Sequence, residues 1–191
     1  KNAFLSMLSH EIRNPLASIS AAVALLETTP DREKATSIID IMKRQTAQLC
    51  RLVDDLLDIT RISFNRISLN KKRIDLCEIV ASTALDYRAQ FEEKGVRLKT
   101  GIIPGHLFLE ADPARVVQVI GNLLHNALKF TKPGGDTLLT VSRQGNLAVI
   151  RVKDNGLGMK PEGLPGLFQP FMQMDDSIDR SQGGLGLGLA I

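Results

Sequence analysis

Apolar residues recur every seven positions at the start of this chain, at Leu5, Ile12, Ile19 and Leu26, with Leu8, Pro15 and Ala22 at the intervening heptad position. That spacing predicts a helix with one packing seam from Asn2 to about Glu27. The segment Thr28-Thr29-Pro30-Asp31 interrupts it. A second run then places Ile38, Gln45, Leu52 and Ile59 on one register and Met42, Leu49 and Leu56 on the other, predicting a second helix to about Arg66. Helices joined by so short a turn fold back on one another, yet two facing stripes cannot enclose a core. The pattern therefore predicts a homodimer, two hairpins making a four-helix bundle with Leu8, Ile19, Leu49 and Leu56 inside.

After Arg66 the period changes. Ile67 and Leu69 alternate as in a strand, and Asp75 with Glu78 three residues on forms a capping-box pattern for a helix to about Lys94. Val96, Leu98 and the stretch from Leu107 to Leu109 predict further strands. Asp112-Pro113 supplies an N-cap and a favourable first-turn residue for a helix to about Phe130, with Val116, Ile120, Leu123 and Ala127 as its apolar face. Alternating stretches from Thr137 to Arg143 and from Leu147 to Lys153, around Gln144-Gly145-Asn146, predict a hairpin. From Asp154 onward the chain is glycine-rich with little periodicity, as in a long ligand-binding loop. The fold class predicted is α+β in two domains, residues 1–66 and 67–191.

Composition narrows the function classes. The net charge of +3 is small beside 24 basic and 21 acidic residues, the basic residues are scattered, and aromatics that could stack on bases make up 4% of the chain, so a nucleic-acid partner is not expected. No apolar stretch approaches the roughly 20 residues that a membrane helix needs, so no membrane contact by this segment is expected and the location it suggests is cytoplasmic. Cys50 and Cys77 lie in different elements without metal-like spacing and read as free thiols.

Two sets of residues suggest chemistry. At about 100° per residue His10 lies about 160° from Ile12, so its imidazole faces away from the seam. Glu11 can accept from one ring nitrogen and leave the other as an unprotonated nucleophile. Asn14, one turn along, projects beside His10 and can position a water. Pro15 lacks an amide and crowds the Glu11 carbonyl, loosening the helix beside the histidine. On the later helix Asn122, Asn126 and Lys129 form a polar stripe able to hold Mg²⁺ and phosphates, although a solvated helix face has the same composition. Asp154 follows a strand, with Gly156 and Gly158 at a sharp turn where backbone can approach a flat ring and an acid can accept from an exocyclic amino group. Alternating glycines from Gly183 to Gly188 suit backbone amides wrapped around phosphates at a helix start. They match neither a Walker loop nor a dinucleotide fingerprint. Phe168 and Phe171 lie between the glycine elements, as lid hinges or as core anchors.

Taken in order, these segments resemble the catalytic core of a sensor histidine kinase of a two-component system. Residues 4–16 (FLSMLSHEIRNPL) resemble the family's H-box and residues 122–131 (NLLHNALKFT) its N-box, followed by two glycine boxes with a phenylalanine box between them. The resemblance covers essentially the whole chain. It implies ATP-dependent autophosphorylation of His10, helped by Glu11, and transfer to an aspartate of a response-regulator receiver domain, with phosphatase activity supported by Asn14. It implies Asn126 as the Mg²⁺ ligand with Asn122 nearby, and Asp154 as the adenine reader. Gly184, Gly186 and Gly188 become the phosphate cradle, and Lys129, Phe130, Gly156, Gly158, Phe168 and Arg180 fall in the same ATP site. The second domain would be a Bergerat-type α/β sandwich shared with gyrase-type ATPases. The run from Ser177 to Gly184 is similar to that of hybrid kinases. The family precedes the H-box with a sensor and continues past the position of Ile191 through a helix and a closing strand, so the resemblance implies a sandwich truncated at its C-terminus. A contrasting reading is a phosphotransfer and docking module with a degenerate ATP site, against which the intact N-box and glycine boxes argue.

Overall fold

A computed structural model describes residues 2–29, 31–63, 68–170 and 186–191. Its contacts divide the chain into two compact units, one comprising Lys1–Arg66 with Pro165–Ile191 and the other Ile67–Leu164.

The first unit is built on a helical hairpin, α1 (Asn2–Thr28) and α2 (Arg32–Ser63). Asp31 opens α2 by accepting from the Glu33 amide at 2.9 Å, the usual way an N-cap carboxylate satisfies an amide of the first turn. The seam is visible in burial: Pro15, Ala22 and Leu52 are buried, and Leu8, Ile19, Leu49 and Leu56 are half-buried. Leu187, only 1% exposed, joins Leu52 in a small apolar cluster with Leu8 and Ile191 packed against it.

The second unit is α+β. Strand β1 (Lys72–Asp75) pairs antiparallel with β3 (Phe108–Ala111), Ile74 opposite Leu109. A mixed sheet has the order β2-β4-β5: β2 (Arg97–Ile102) runs parallel to β4 (Asp136–Gln144), which forms the expected hairpin with β5 (Leu147–Asp154). Helices α3 (Leu76–Glu93) and α4 (Pro113–Phe130) complete the layers, and the core lies where Val80, Phe91, Ile120, Leu124 and Leu139 meet, each 0% exposed. Both helices start on aspartates. Asp75 accepts from the Cys77 amide at 3.0 Å, and also from the Leu107 amide at 3.1 Å, tying the start of α3 to the β2–β3 connection. Asp112 accepts from the amides of Ala114 and Arg115, and from Asn70 at 2.9 Å.

The structure corrects two expectations. The first strand is Lys72–Asp75, with Leu69 exposed outside it and Ile67 beyond the described residues. On α4 the expected face keeps Ile120 and Ala127 buried, but Leu124, rather than Leu123, is the fully buried leucine, while Leu123 is half-buried. Both leucines fall near the same stripe, and the position of the sheet decides between them.

Leu124→Ala removes a fully buried side chain and should cost roughly 2–5 kcal/mol in urea unfolding, with a clearly smaller loss for Leu123→Ala. Equal losses would place the core seam of α4 elsewhere.

Candidate functional site

In the first unit His10 is exposed on α1, Glu11 beside it is half-buried, and Asn14 is exposed one turn further on. No hydrogen bond joins His10 and Glu11 among the described residues. Pro15 is fully buried and the helix continues through it, so the missing amide opens no break. Gly186 adopts φ +65°, and the Leu187 carbonyl accepts from the Ala190 and Ile191 amides at 2.9 and 3.1 Å, closing a helical turn just after the glycines; Gly188 is half-buried within it. Arg180, Gly184, Phe171 and the run from Ser177 to Gly183 lie outside the described residues. Phe168 is 69% exposed and is therefore no core anchor.

In the second unit the stripe and the turn after β5 meet at the carboxyl end of α4. Asn122, Asn126 and Lys129 are half-buried, and the Lys129 ammonium lies 5.0 Å from the centre of the exposed Phe130 ring. A helix leaves its last carbonyls without intrahelical partners. Here they are taken up: the Lys94 ammonium donates to Leu128 O and, at 2.9 Å, to Lys129 O, and the Leu157 amide donates to Phe130 O at 3.1 Å. Burial holds the pKa of Lys94 below its ordinary value. A cation at a helix carboxyl end is also favoured by the dipole.

The Leu157–Phe130 bond brings Gly156 against the helix end. A Cβ at Gly156 would lie 2.5 Å from Phe130 O and 2.8 Å from the Asp154 carboxylate, so no other residue fits without displacing backbone. Gly158 takes φ +69° with open space around it. Asp154 is exposed at the end of β5, and its Oδ1 accepts from the Gly156 amide at 2.9 Å, leaving the outer oxygen as the one to face a ligand. Across the ladder it sits opposite Thr137, whose buried hydroxyl, like that of Thr131, has no partner among the described residues. The space that a Gly156 side chain would take is filled by the end of α4, and the exposed Asp154, with one carboxylate oxygen not taken by the Gly156 amide, suits a hydrogen-bonding ring edge. Asparagine oxygens on α4 fit a hard cation that keeps most of its ligands as water and phosphate; among the described residues no cluster of three His, Cys, Asp or Glu forms an all-protein metal site.

Two contributors are invisible to motif reasoning. Lys94 reaches carbonyls more than thirty residues away, and Asp136 anchors the loop after α4: Arg97 donates to it from Nε at 2.8 Å and Nη2 at 2.7 Å, and Lys99 Nζ lies at 2.9 Å. The hydrogen bonds from Arg97, then Lys99, hold the Asp136 carboxyl far below its ordinary 3.8. The cleft of about 330 Å³ lined by Leu69, Val116, Val119 and Ile150 lies toward the other end of α4 and contains none of the nucleotide-site candidates.

Comparisons with known proteins bear on the family and the fold of the chain. Residues 1–65 match the family profile of the His Kinase A (phospho-acceptor) domain, and residues 111–191 match that of the histidine kinase-, DNA gyrase B- and HSP90-like ATPases. The chain belongs to the sensor histidine kinases and carries the phospho-acceptor and ATPase segments of their catalytic core. It is 34% identical over its whole length to the circadian input-output histidine kinase CikA of Synechococcus elongatus, and 33% identical to the sensor histidine kinase RcsC of Escherichia coli. It spans 26% and 20% of those proteins' lengths, respectively. Among solved structures it resembles full-length ShkA in complex with AMPPNP, with a TM-score of 0.66 and 30% identity over 97% of this chain and 38% of that one. The Acinetobacter baumannii histidine kinase AdeS shares the fold, with a TM-score of 0.67 at 20% identity over 94% of this chain and 83% of that one. No helix among the described residues is long and apolar enough to cross a membrane.

Two outcomes test this geometry. Gly156→Ala should lower the melting temperature and weaken nucleotide binding together, whereas Gly158→Ala, strained only by its positive φ, should cost about 1–2 kcal/mol. An unperturbed Gly156 variant would contradict the close approach. The stability that Asp136 adds is fully present above its ordinary 3.8 and is lost as pH falls from there through its depressed native value. The destabilisation caused by Asp136→Asn should accordingly be larger in urea titrations at about pH 7 than at about pH 3.

Proposed function

We propose that this chain is the ATP- and Mg²⁺-dependent autophosphorylating core of a sensor histidine kinase, with residues 1–66 as the dimerisation and phosphoacceptor domain and residues 67–191 as the ATP-binding domain. The observation that carries the reading is the exposed His10 on the first helix of a hairpin in a chain whose second part holds an exposed Asp154 on a glycine turn packed against the end of α4. Asp154 would accept from the adenine amino group, Asn126 with Asn122 would hold Mg²⁺, Lys129 would bring charge to the phosphates, and Gly184, Gly186 and Gly188 are the phosphate-binding glycines that the family resemblance implies. Bound Mg²⁺ supplies neutralisation of the phosphate charge. Phe130, Gly158, Phe168 and Arg180 are assigned to ATP binding by their resemblance to the family's motifs.

In the reaction, one imidazole nitrogen of His10 attacks the γ-phosphorus as the bond to the β–γ bridging oxygen breaks, and ADP leaves. Glu11 orients the ring and removes its proton. What the chain contributes is mostly positioning and charge neutralisation, as in other phosphoryl transfers. The phosphohistidine then yields its phosphoryl group to an aspartate carboxylate of a response-regulator receiver domain, and in the opposing phosphatase reaction Asn14 places a water that attacks the phosphorus of that aspartyl phosphate, releasing inorganic phosphate and the free carboxylate. AdeS is a histidine kinase, ShkA is solved with AMPPNP, and one further solved relative is the histidine kinase ThkA in complex with a response regulator, which supports that partner class. The half-buried Leu8, Ile19, Leu49 and Leu56 support homodimerisation through a four-helix bundle, since a single hairpin leaves them incompletely covered. Dependence on ATP assigns the segment to the cytoplasmic side of the cell.

His10→Gln should abolish acid-labile, alkali-stable phosphate on the protein when it is incubated with labelled ATP and Mg²⁺, while its affinity for ADP stays at the wild-type value. Label retained by the variant would overturn His10 as the acceptor.

A further inference from the structure

We infer that Asn155 is a positioning residue for nucleotide selection: its side-chain carbonyl fixes the turn that carries Asp154, so that the carboxylate meets the purine in one orientation. The inference rests on the reading of Asp154 as the adenine-facing acid.

The β4–β5 ladder ends at the pair Thr137–Asp154, and a turn beyond the end of a ladder is ordinarily free to fray. Here Asn155 extends the pairing by one residue with both backbone and side chain. Its amide donates to Asp136 O at 3.2 Å, and its Oδ1 accepts from the Asp136 amide at 2.8 Å. What it grips is itself held. The Asp136 carboxylate is fixed by Arg97 and Lys99, and the Arg97 amide donates to Gly135 O at 2.9 Å. Gly135 makes room for the grip, because a Cβ there would fall 2.9 Å from Asn155 Oδ1 and 2.4 Å from Thr131 Cγ2. On the other side the turn is pinned to α4 through Leu157 and Phe130, and one Asp154 oxygen is occupied by the Gly156 amide.

Two anchors therefore tie the turn to its neighbours, on β4 and on α4, and Asn155 supplies the first with its side chain as well as its backbone, while the Asp154–Gly156 bond lies within the turn. The consequence is chemical. Adenine presents an amino donor where guanine presents a carbonyl acceptor, so a fixed carboxylate attracts the first and repels the second. A carboxylate on a loosened turn can swing away from the guanine carbonyl, which relieves the repulsion, and loses orientation toward the adenine amino group. Removal of the Asn155 acceptor should thus weaken adenine binding and narrow discrimination, rather than lower all affinities alike.

The test is calorimetric titration of the full chain with ADP and, separately, with GDP. Asn155→Ala should weaken ADP binding roughly two- to tenfold, the loss of one hydrogen bond, with a smaller effect on GDP, so that the GDP-to-ADP ratio of Kd falls. Asn155→Asp keeps an acceptor at the same atom position and should restore the ratio toward wild type. Asn155→Ser tolerates turns but stops one bond short of the Asp136 amide, and it should reproduce the alanine result if the alanine variant folds poorly. Equal weakening of both nucleotides, or an unchanged ratio in Asn155→Ala and Asn155→Ser, would reduce Asn155 to a structural residue and overturn the inference. Asp154→Ala separates the two levels: a collapsed ratio there with an unchanged ratio at Asn155 refutes only the positioning role, and an unchanged ratio at Asp154 refutes the reading of Asp154 on which it rests.

Discussion

The carboxyl end of α4 is where the second unit is tied together. Helix ends expose carbonyls that must find partners, and burying them without partners costs more than a typical hydrogen bond gains. In this chain the carbonyls of the last turn are met from different directions: Lys94 reaches across from the end of α3, Thr131 caps from within, and the Leu157 amide arrives from the turn after β5. Satisfying α4 thereby sets the distance between the asparagine stripe and Asp154. The absence of a side chain at Gly156 is the condition that lets this occur, because the Leu157 bond requires the backbone of its neighbour to pass within contact distance of Phe130 O.

The same logic explains why charge is concentrated at Asp136. The loop between α4 and β4 has to bring a strand back parallel to β2 and also receive the turn from β5. An exposed ion pair contributes little by itself, but a carboxylate bridging Arg97 and Lys99 fixes a register, with Arg97 opposite Asp136 at the first pair of the parallel ladder. The ion pairs therefore matter for geometry more than for net stability. Asn155 then uses the backbone of that fixed residue as its anchor.

Periodicity was enough to reveal the hairpin, the β4–β5 pair and both aspartate-capped helices, because each has a strong one-dimensional signature: seven-residue repeats, strict alternation around a glycine turn, or an acid just before an apolar run. It failed at β1 for a physical reason. The strand Lys72–Asp75 belongs to a two-stranded ribbon and buries only Ile74 deeply, so its sequence is mostly charged, whereas the alternating Ile67 and Leu69 look more strand-like. Leu124 was missed because adjacent leucines at 123 and 124 both satisfy helical spacing from Ile120. Of the candidate site, motifs single out the residues with side-chain chemistry, and no motif singles out the residues that pack beside them. Lys94 and Asn155 act through partners distant in sequence, at Leu128, Lys129 and Asp136, and no local pattern encodes such a pairing.

That asymmetry follows from how a site is made specific. A carboxylate distinguishes an amino group from a carbonyl only if it cannot rotate to accommodate both, so selectivity resides in what restrains Asp154 as much as in Asp154 itself. The motif Asp-Asn-Gly is commonly read through its acid and its glycine. On the proposed reading of Asp154 its three residues would act together on one ligand edge. Asp154 supplies the acceptor, Gly156 permits the approach to α4, and Asn155 closes the other side of the turn onto β4. An acid placed on a turn lacking either restraint would still bind a purine, but it would have no reason to prefer one.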